Sequence, residues 1–440
     1  MIQRKFHRLA AAGLIAFVLA AVAIGLVAAR KVHAPKARRA DPIVLKKGDG
    51  DRVKPGGNAK TVIGANETRG ADSSSDIEAY LQRAYPSDEV PMEATIAAQN
   101  GWAALNASAH SAGSWQLIGP SKATYPGVLN FLGDGAPYVT AGRVTAMAIG
   151  SSCRPGDCPI YVGAAGGGIW RAKDGLSGNP KWEFTSASFA TNAIGSLIID
   201  PNDATGNTLY AGTGEPNASA DSEAGMGIYK STNGGDTWSL LSGSSLFQGR
   251  AVSSIAIQPG GAIIAGIARA VRGISSVLSG GVTSNPPGGV PFGLYRSTDG
   301  GATFSQIWDG AGSIRGPNQV ALDPSNSNII YAAAFQRGVW RSTNNGASFS
   351  QIKTALNPAQ NVDRAQFSVN ALSNGNTRMY VGVGNSGAPA ARFYRTDDAA
   401  GAAVFTDKTT PQNINYCTGQ CWYDNAVHSP AGFPDVVYLL

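Results

Sequence analysis

One thirteen-residue phrase occurs three times in this chain, and nothing else in it narrows the possible folds so far. It reads Gly-Ile-Tyr-Lys-Ser-Thr-Asn-Gly-Gly-Asp-Thr-Trp-Ser over 227–239, Gly-Leu-Tyr-Arg-Ser-Thr-Asp-Gly-Gly-Ala-Thr-Phe-Ser over 293–305 and Gly-Val-Trp-Arg-Ser-Thr-Asn-Asn-Gly-Ala-Ser-Phe-Ser over 338–350. Degenerate copies flank these, one carrying Trp170 and Asp174 with Trp182 downstream, the other Tyr394 and Asp398 with Phe405 downstream. The leading aromatics Trp170, Tyr229, Tyr295, Trp340 and Tyr394 are 59, 66, 45 and 54 residues apart. A phrase recurring at such periods marks one supersecondary unit used repeatedly.

Two β-like runs precede each copy, as at 142–149 and 159–163 or 318–324 and 328–333, and a short strand such as Trp238-Ser-Leu-Leu follows it. Four short antiparallel strands per unit, joined by Gly, Asn and Asp turns, make a β-propeller blade. A sandwich has no reason to repeat one turn five times. The 56 Gly and 24 Pro among 440 residues, about one and a half times the usual share, are the turn residues such a fold needs.

The Ser-Thr-Asp/Asn-Gly-Gly-x-Thr-Trp/Phe element resembles the Asp-box of bacterial neuraminidase-type repeats, known from sialidases, sortilin-type propellers and xyloglucan hydrolases. The resemblance covers residues 113–440 and implies an all-β propeller in which the box is the turn between the third and outermost strands. The side chains fit that role. Asn233, Asp299 and Asn344 can accept backbone N–H bonds within their own turns, and Asp174 is the structural box residue of the first copy. Gly235, Gly301 and Gly346 permit positive φ, and Trp238, Phe304 and Phe349 pack between blades. Asn in place of Asp in two copies keeps the turn bonds and loses acid–base use, so the box reads as structural rather than catalytic.

The count of units is five complete blades and part of a sixth, which begins at 422–427 and continues at 435–440. The stretch 113–120 looks like an outermost strand with no box before it, the kind of strand that closes a ring by completing the last blade. Five and a half blades close poorly, and the expectation is a propeller incomplete at its C-terminus.

Ahead of the repeats the chain has three parts. Residues 1–34 read as a signal peptide or an uncleaved signal anchor. Leu9 to Ala29 are 21 uncharged residues between basic flanks, long for a cleavable core and long enough to span a bilayer. Residues 35–74 read as a flexible linker. Residues 75–107 read as a helical segment of two short helices, 76–84 opened by the capping box Ser75-x-x-Glu78 and 92–105 carrying Trp102. The bulk of the chain is then extracytoplasmic: secreted, periplasmic or anchored. The net charge of +6 does not argue for nucleic acid, because residues 1–60 carry 13 Lys and Arg against 3 Asp and Glu while the remainder is net negative.

Four cysteines fall in two local pairs, Cys153 with Cys158 and Cys417 with Cys421. An oxidising compartment closes both as small disulfide loops. The rival, a zinc site, matches ribbon spacing poorly, and four histidines in the chain leave few further ligands. No metal and no cofactor are expected.

Extra length between blades gathers in the loops joining second to third strands, notably Pro216–Met226 and Arg269–Pro291. Those loops share a face with the starts of the innermost strands, where Arg143, Asn192, Arg250, Asn318, Arg364 and Asp424 with Asn425 stand. A ring of guanidinium and amide groups is suited to a carboxylate, a sugar or a peptide terminus; the plainer reading is a channel mouth solvated by water. Glycoside hydrolysis needs two carboxyl groups on the order of 5–10 Å apart. The stretch before Gly166-Gly167 holds Ala164 and Ala165 where xyloglucan hydrolases carry an acid, and no Arg-Ile-Pro element marks a sialidase. His110 and His428 alone are near enough for a Ser-His-Asp arrangement. The leading expectation is therefore a binding module for protein or polysaccharide. A glycoside hydrolase whose acids are missing or lie further on, and a structural assembly factor, stand behind it.

Overall fold

The computed structural model describes residues 143–440 apart from 151–152, 218–221, 271–288, 356–362, 385–390, 415 and 418–419, with helical positions between Ala94 and Leu105 and the paired strands Thr124–Tyr125 and Tyr138–Val139. The segments 1–34, 35–74, 76–84 and 113–120 lie outside the described residues. Among the described residues no helix is long and apolar enough to cross a membrane.

The repeats form five four-stranded antiparallel sheets, each in sequence order from the axis outward. Blade 1 is Val144–Ile149, Ile160–Ala164, Gly168–Ala172 and Trp182–Phe184. Blade 2 is Ile194–Ile199, Leu209–Thr213, Ile228–Ser231 and Ser239–Leu240. Blade 3 is Ala251–Ile257, Ile263–Ala268, Gly293–Ser297 and Ser305–Trp308. Blade 4 is Pro317–Leu322, Ile330–Ala334, Gly338–Ser342 and Ser350–Lys353. Blade 5 is Arg364–Ala371, Thr377–Gly384, Ala391–Thr396 and Thr406–Asp407. A sixth unit has two strands, Val427–His428 and Tyr438–Leu439. The fold is an all-β propeller, as the sequence predicts. The sixth unit starts later than its sequence suggests: Val427, not Trp422, opens the strand. Tyr423 and Asn425 are held in the preceding turn by bonds to other blades, Tyr423 to Glu215 and Asn425 to the Arg364 and Gly382 carbonyls.

Blades pack through the second strand of one and the innermost strand of the next. Apolar residues on both faces of the central strands build the core, in separate clusters at each seam. The repeated turn lies between third and outermost strands and is a small hydrogen-bonded cage. In blade 3, Asp299 Oδ1 accepts from Ser297 Oγ (2.8 Å) and Thr303 N (3.0 Å), Oδ2 accepts from Thr303 Oγ1 (2.6 Å), and Gly301 N donates to Ser297 Oγ (2.8 Å). Asn233 and Asn344 do the same, each amide nitrogen donating to Thr237 or Ser348. Gly235 sits at φ 87° and Gly346 at φ 80°, where a Cβ is strained. The Ser two residues before the Asx and the Thr or Ser four after it are thus as much part of the turn as the Asx. Blade 1 has Ala172 at the first of these positions, and Asp174 Oδ1 is left buried without a partner.

These turns also clasp neighbouring blades. Arg171 Nη1 donates to the Gly234 carbonyl (2.6 Å), Arg296 Nη2 to that of Asn345 (2.6 Å), and Arg341 Nη1 to those of Ala399 and Gly401. Trp238 packs edge-on to Phe189, Phe304 against Phe247 and Phe349 on Trp308, filling the seams. Both predicted disulfides are present, Cys153–Cys158 in the first hairpin of blade 1 and Cys417–Cys421 before the sixth unit.

The hydrogen bonds from Thr303 and Ser297 hold the Asp299 carboxyl well below the usual carboxylate range. A depressed folded value means its stabilising contribution is complete above the ordinary aspartate pKa and disappears as pH falls through the lowered one. Asp299→Asn reproduces the cage of blades 2 and 4. It is expected to leave the neutral-pH melting temperature within about 1 °C and to weaken acid unfolding below about pH 4, whereas Asp299→Ala lowers it by about 2–4 °C. Melting curves at pH 7 and pH 3 check both.

Candidate functional site

Where the innermost strands begin, a cavity of about 510 Å³ opens on the axis. Four blades enter it through the same irregularity. Pairing of first to second strand slips at Thr145, Gly195, Ser253 and Asn318, one extra residue each, and all four positions line the cavity. A bulge of this kind turns a side chain off its sheet face. Here it is turned across the seam: Thr145 Oγ1 donates to the Ile194 carbonyl (2.5 Å), Ser253 Oγ to that of Pro317 (2.7 Å) and Asn318 Nδ2 to that of Ala365 (2.6 Å).

Of the residues singled out from sequence, Arg143, Asn318, Arg364, Asp424 and Asn425 line this cavity. Asn192 and Arg250 do not. The Asn192 carbonyl accepts from Gly168 N (2.8 Å) in the blade 1 hairpin. Arg250 turns outward, its Nε and Nη2 donating to the carbonyls of Val290 and Gly289 (both 2.8 Å) and its guanidinium lying over Phe292. It fixes the end of the long loop of blade 3.

Glu215, absent from the sequence candidates, ties the mouth together. It follows the second strand of blade 2, and its side chain is fully enclosed. Oε2 accepts from Arg143 Nη2 (3.0 Å), while Oε1 accepts from the Tyr423 hydroxyl (2.9 Å) and Asn217 Nδ2 (3.2 Å). Blade 1, blade 2 and the turn before the sixth unit meet on this one carboxylate. Arg143 also lies 5.6 Å from the Tyr423 ring centroid.

Arg364 is the second cation. Its Nη1 donates to Asn217 Oδ1 (2.8 Å) and the Tyr423 carbonyl (2.6 Å). The Gln366 amide, turned so that its oxygen faces the guanidinium, accepts from Nη2 (2.7 Å) and Nε (3.1 Å) and donates to Gln319. Burial pushes Arg364 down to about 10, against the favourable fields of Asp424, Tyr423 and Glu215. It remains a cation at any physiological pH. Asn425 accepts from the Tyr416 hydroxyl (2.7 Å), and burial pushes that phenol up.

Two guanidinium groups are thus balanced by Glu215 and the exposed Asp424, and the rest of the wall mixes amide and hydroxyl side chains with the apolar Val144, Pro216, Ala426 and Val427. One polar atom stands apart. Asn318 is 5% exposed, and its Oδ1 is buried in the cavity wall without a hydrogen-bond partner. Its amide is oriented by the donation to Ala365, so the orphan is an acceptor, and what it lacks is an O–H or N–H donor. Among the described residues no cluster of His, Cys, Asp and Glu is placed to hold a metal ion.

No family model matches the chain, and no curated protein matches it. Solved structures similar to it are propellers. An ancestral GH74 enzyme is 18% identical with a TM-score of 0.42, over 61% of this chain and 31% of that one. The GH74 enzyme of Niastella koreensis is 20% identical with a TM-score of 0.41, over 62% and 38%. YCF48 bound to D1 peptide is 10% identical with a TM-score of 0.38, over 70% and 80%. The chain matches only about a third of the length of the two GH74 enzymes.

Proposed function

We propose that this protein is an exported Asp-box propeller that binds a polar polymer, a protein segment or a polysaccharide, at the mouth of its axial channel, without cleaving it. The observation that carries the reading is Asn318 Oδ1, a buried acceptor without a hydrogen-bond partner on a residue that lines a cavity whose charges are already balanced. Such an atom costs about 1–3 kcal/mol unless a donor reaches it, and hydroxyls of a sugar and N–H groups of a peptide both supply one. Hydrolysis draws less support. Glu215 has both oxygens engaged by Arg143, Tyr423 and Asn217, which leaves Asp424 as the open carboxylate of the mouth.

Retention of the full chain on a panel of immobilised polysaccharides and peptides tests this. Asn318→Ala is expected to weaken retention about tenfold, the loss of one hydrogen bond of about 1.4 kcal/mol, with no release of reducing ends by either protein. Unchanged affinity in Asn318→Ala places the ligand elsewhere. Release of reducing ends that disappears in Glu215→Gln makes the protein a hydrolase instead.

A further inference from the structure

The connection from blade 5 to the sixth unit, residues 408–426, differs from the connections before it in two ways. It carries a disulfide, Cys417–Cys421, and it enters the channel mouth, where Tyr423, Asp424, Asn425 and Ala426 line the cavity in succession. The connections 185–193, 241–250, 309–316 and 354–363 supply none of that wall among the described residues.

A short chain of contacts joins the two features. Gln420 N donates to the Cys417 carbonyl (2.7 Å), and Tyr423 N and Asp424 N both donate to the Gln420 carbonyl (2.7 and 2.8 Å). The sulfur bridge therefore closes the first turn of a backbone unit whose second turn ends on the lining residues. Both cysteines are buried, Cys421 completely, in a cluster with Ala391 at the start of the third strand of blade 5, and Tyr416 packs beside them. The Tyr416 hydroxyl donates to Asn425 Oδ1 (2.7 Å), while Asn425 Nδ2 donates to the carbonyls of Arg364 (3.0 Å) and Gly382 (3.1 Å). Gly382 is where blade 5 makes room, since a Cβ there would collide with the Tyr416 hydroxyl. Beyond the turn, Tyr423 presents its hydroxyl to Glu215 and its carbonyl to Arg364.

The size of the bridge favours a local role. The entropy that a crosslink removes from the unfolded chain grows with the loop it closes, and this one joins residues four apart. What it restricts most is the turn itself. A mouth whose Tyr423 and Asn425 are already held in place loses less freedom when a ligand arrives, and preorganisation of that kind raises affinity. We propose, resting on the reading of the mouth as a binding site, that the Cys417–Cys421 disulfide is a positioning element: it fixes the turn that carries Tyr423 and Asn425 to Glu215 and Arg364, and so sets the affinity of the site.

Cys153–Cys158 supplies the control, a bridge of similar span in the first hairpin of blade 1, where no described residue lines the cavity. Cys417→Ser with Cys421→Ser, and Cys153→Ser with Cys158→Ser, are compared with the unaltered full chain on the polysaccharide and peptide panel. Both pairs should lower the melting temperature by a similar amount, about 2–6 °C, and only the first should weaken retention, about tenfold. Tyr423→Phe should weaken retention in the unaltered protein and add less than about twofold once Cys417 and Cys421 are replaced. Hydrogen exchange needs no ligand. The amides of Tyr423 and Asp424 should exchange at least about tenfold faster in the first pair, with those of Arg364–Ala371 unchanged. Unchanged exchange at Tyr423 and Asp424 overturns the positioning role whether or not anything is retained. Equal retention by all three proteins when Asn318→Ala weakens it overturns it too, as do exchange raised throughout blade 5 and a Cys417/Cys421 variant that does not fold. Retention of nothing by the unaltered protein is a failure of the binding reading, and exchange at the two amides then decides the role of the bridge in the turn.

Discussion

Gly212→Val is expected to destabilise the protein by about 3 kcal/mol, the upper end for overpacking a tight contact. The backbone at Gly212 is not left-handed, so the cost is steric alone. A Cβ placed there falls 2.3 Å from Ser196 Oγ, 2.5 Å from Val252 Cγ1 and 2.6 Å from Val252 Cβ. Neither neighbour can retreat freely. Ser196 Oγ is held by the Val252 carbonyl (2.9 Å), and Val252 is fully buried in the seam between blades 2 and 3. Relief therefore requires the two blades to part, which opens the cluster around Ile228, Phe247 and Ile255. Gly212→Ala adds only the Cβ that meets those atoms and should cost less, about 2 kcal/mol, because valine's two further methyl groups are absent. Gly178 is the control: a Cβ there would meet nothing within 4 Å, and Gly178→Val should be near neutral. Urea midpoints followed by tryptophan fluorescence rank the three. A Gly212→Val midpoint equal to that of Gly178→Val would mean the seam is far looser than its geometry.

The blades are legible in the sequence because the turn between third and outermost strands is locally determined. Asx oxygen, glycine at positive φ and the flanking Ser and Thr bond within five residues of one another, so their spacing survives in the sequence whatever the surroundings. The channel mouth is determined differently. Glu215 looks like any loop acid, and its partners Arg143 and Tyr423 lie 72 and 208 residues away. Arg250 and Arg364 illustrate the same limit. Both stand just at the start of an innermost strand, yet Arg250 is drawn outward by two loop carbonyls and Phe292 while Arg364 is drawn inward by Asn217, Tyr423 and Gln366. The mouth does leave one local signal. Paired small or polar residues interrupt the apolar alternation of the innermost strands at Thr145-Ala146, Gly195-Ser196, Ser253-Ser254 and Asn318-Gln319, and those are the bulges that face the cavity.

Glu215→Ala is expected to cost about 2–4 kcal/mol and to abolish retention of any ligand at the mouth. The source of that cost can be resolved by magnitude. The ion pair with Arg143 is the obvious candidate, but the Arg143 side chain is 41% exposed, and water replaces much of what the carboxylate supplies. That contact should couple by less than about 1 kcal/mol. The Tyr423 hydroxyl donates to a fully enclosed carboxylate, and a hydrogen bond to a buried charged group contributes about 1.5–3 kcal/mol. The same bond holds the turn that carries the Tyr423 carbonyl to Arg364. Double-mutant cycles separate the two contributions. Glu215→Gln with Arg143→Met should show weak coupling that shrinks further in salt, and Glu215→Gln with Tyr423→Phe strong coupling that does not. If the Arg143 cycle proves the larger, the carboxylate serves chiefly as a counter-ion, and a ligand anion displacing it becomes the better account of binding at this mouth.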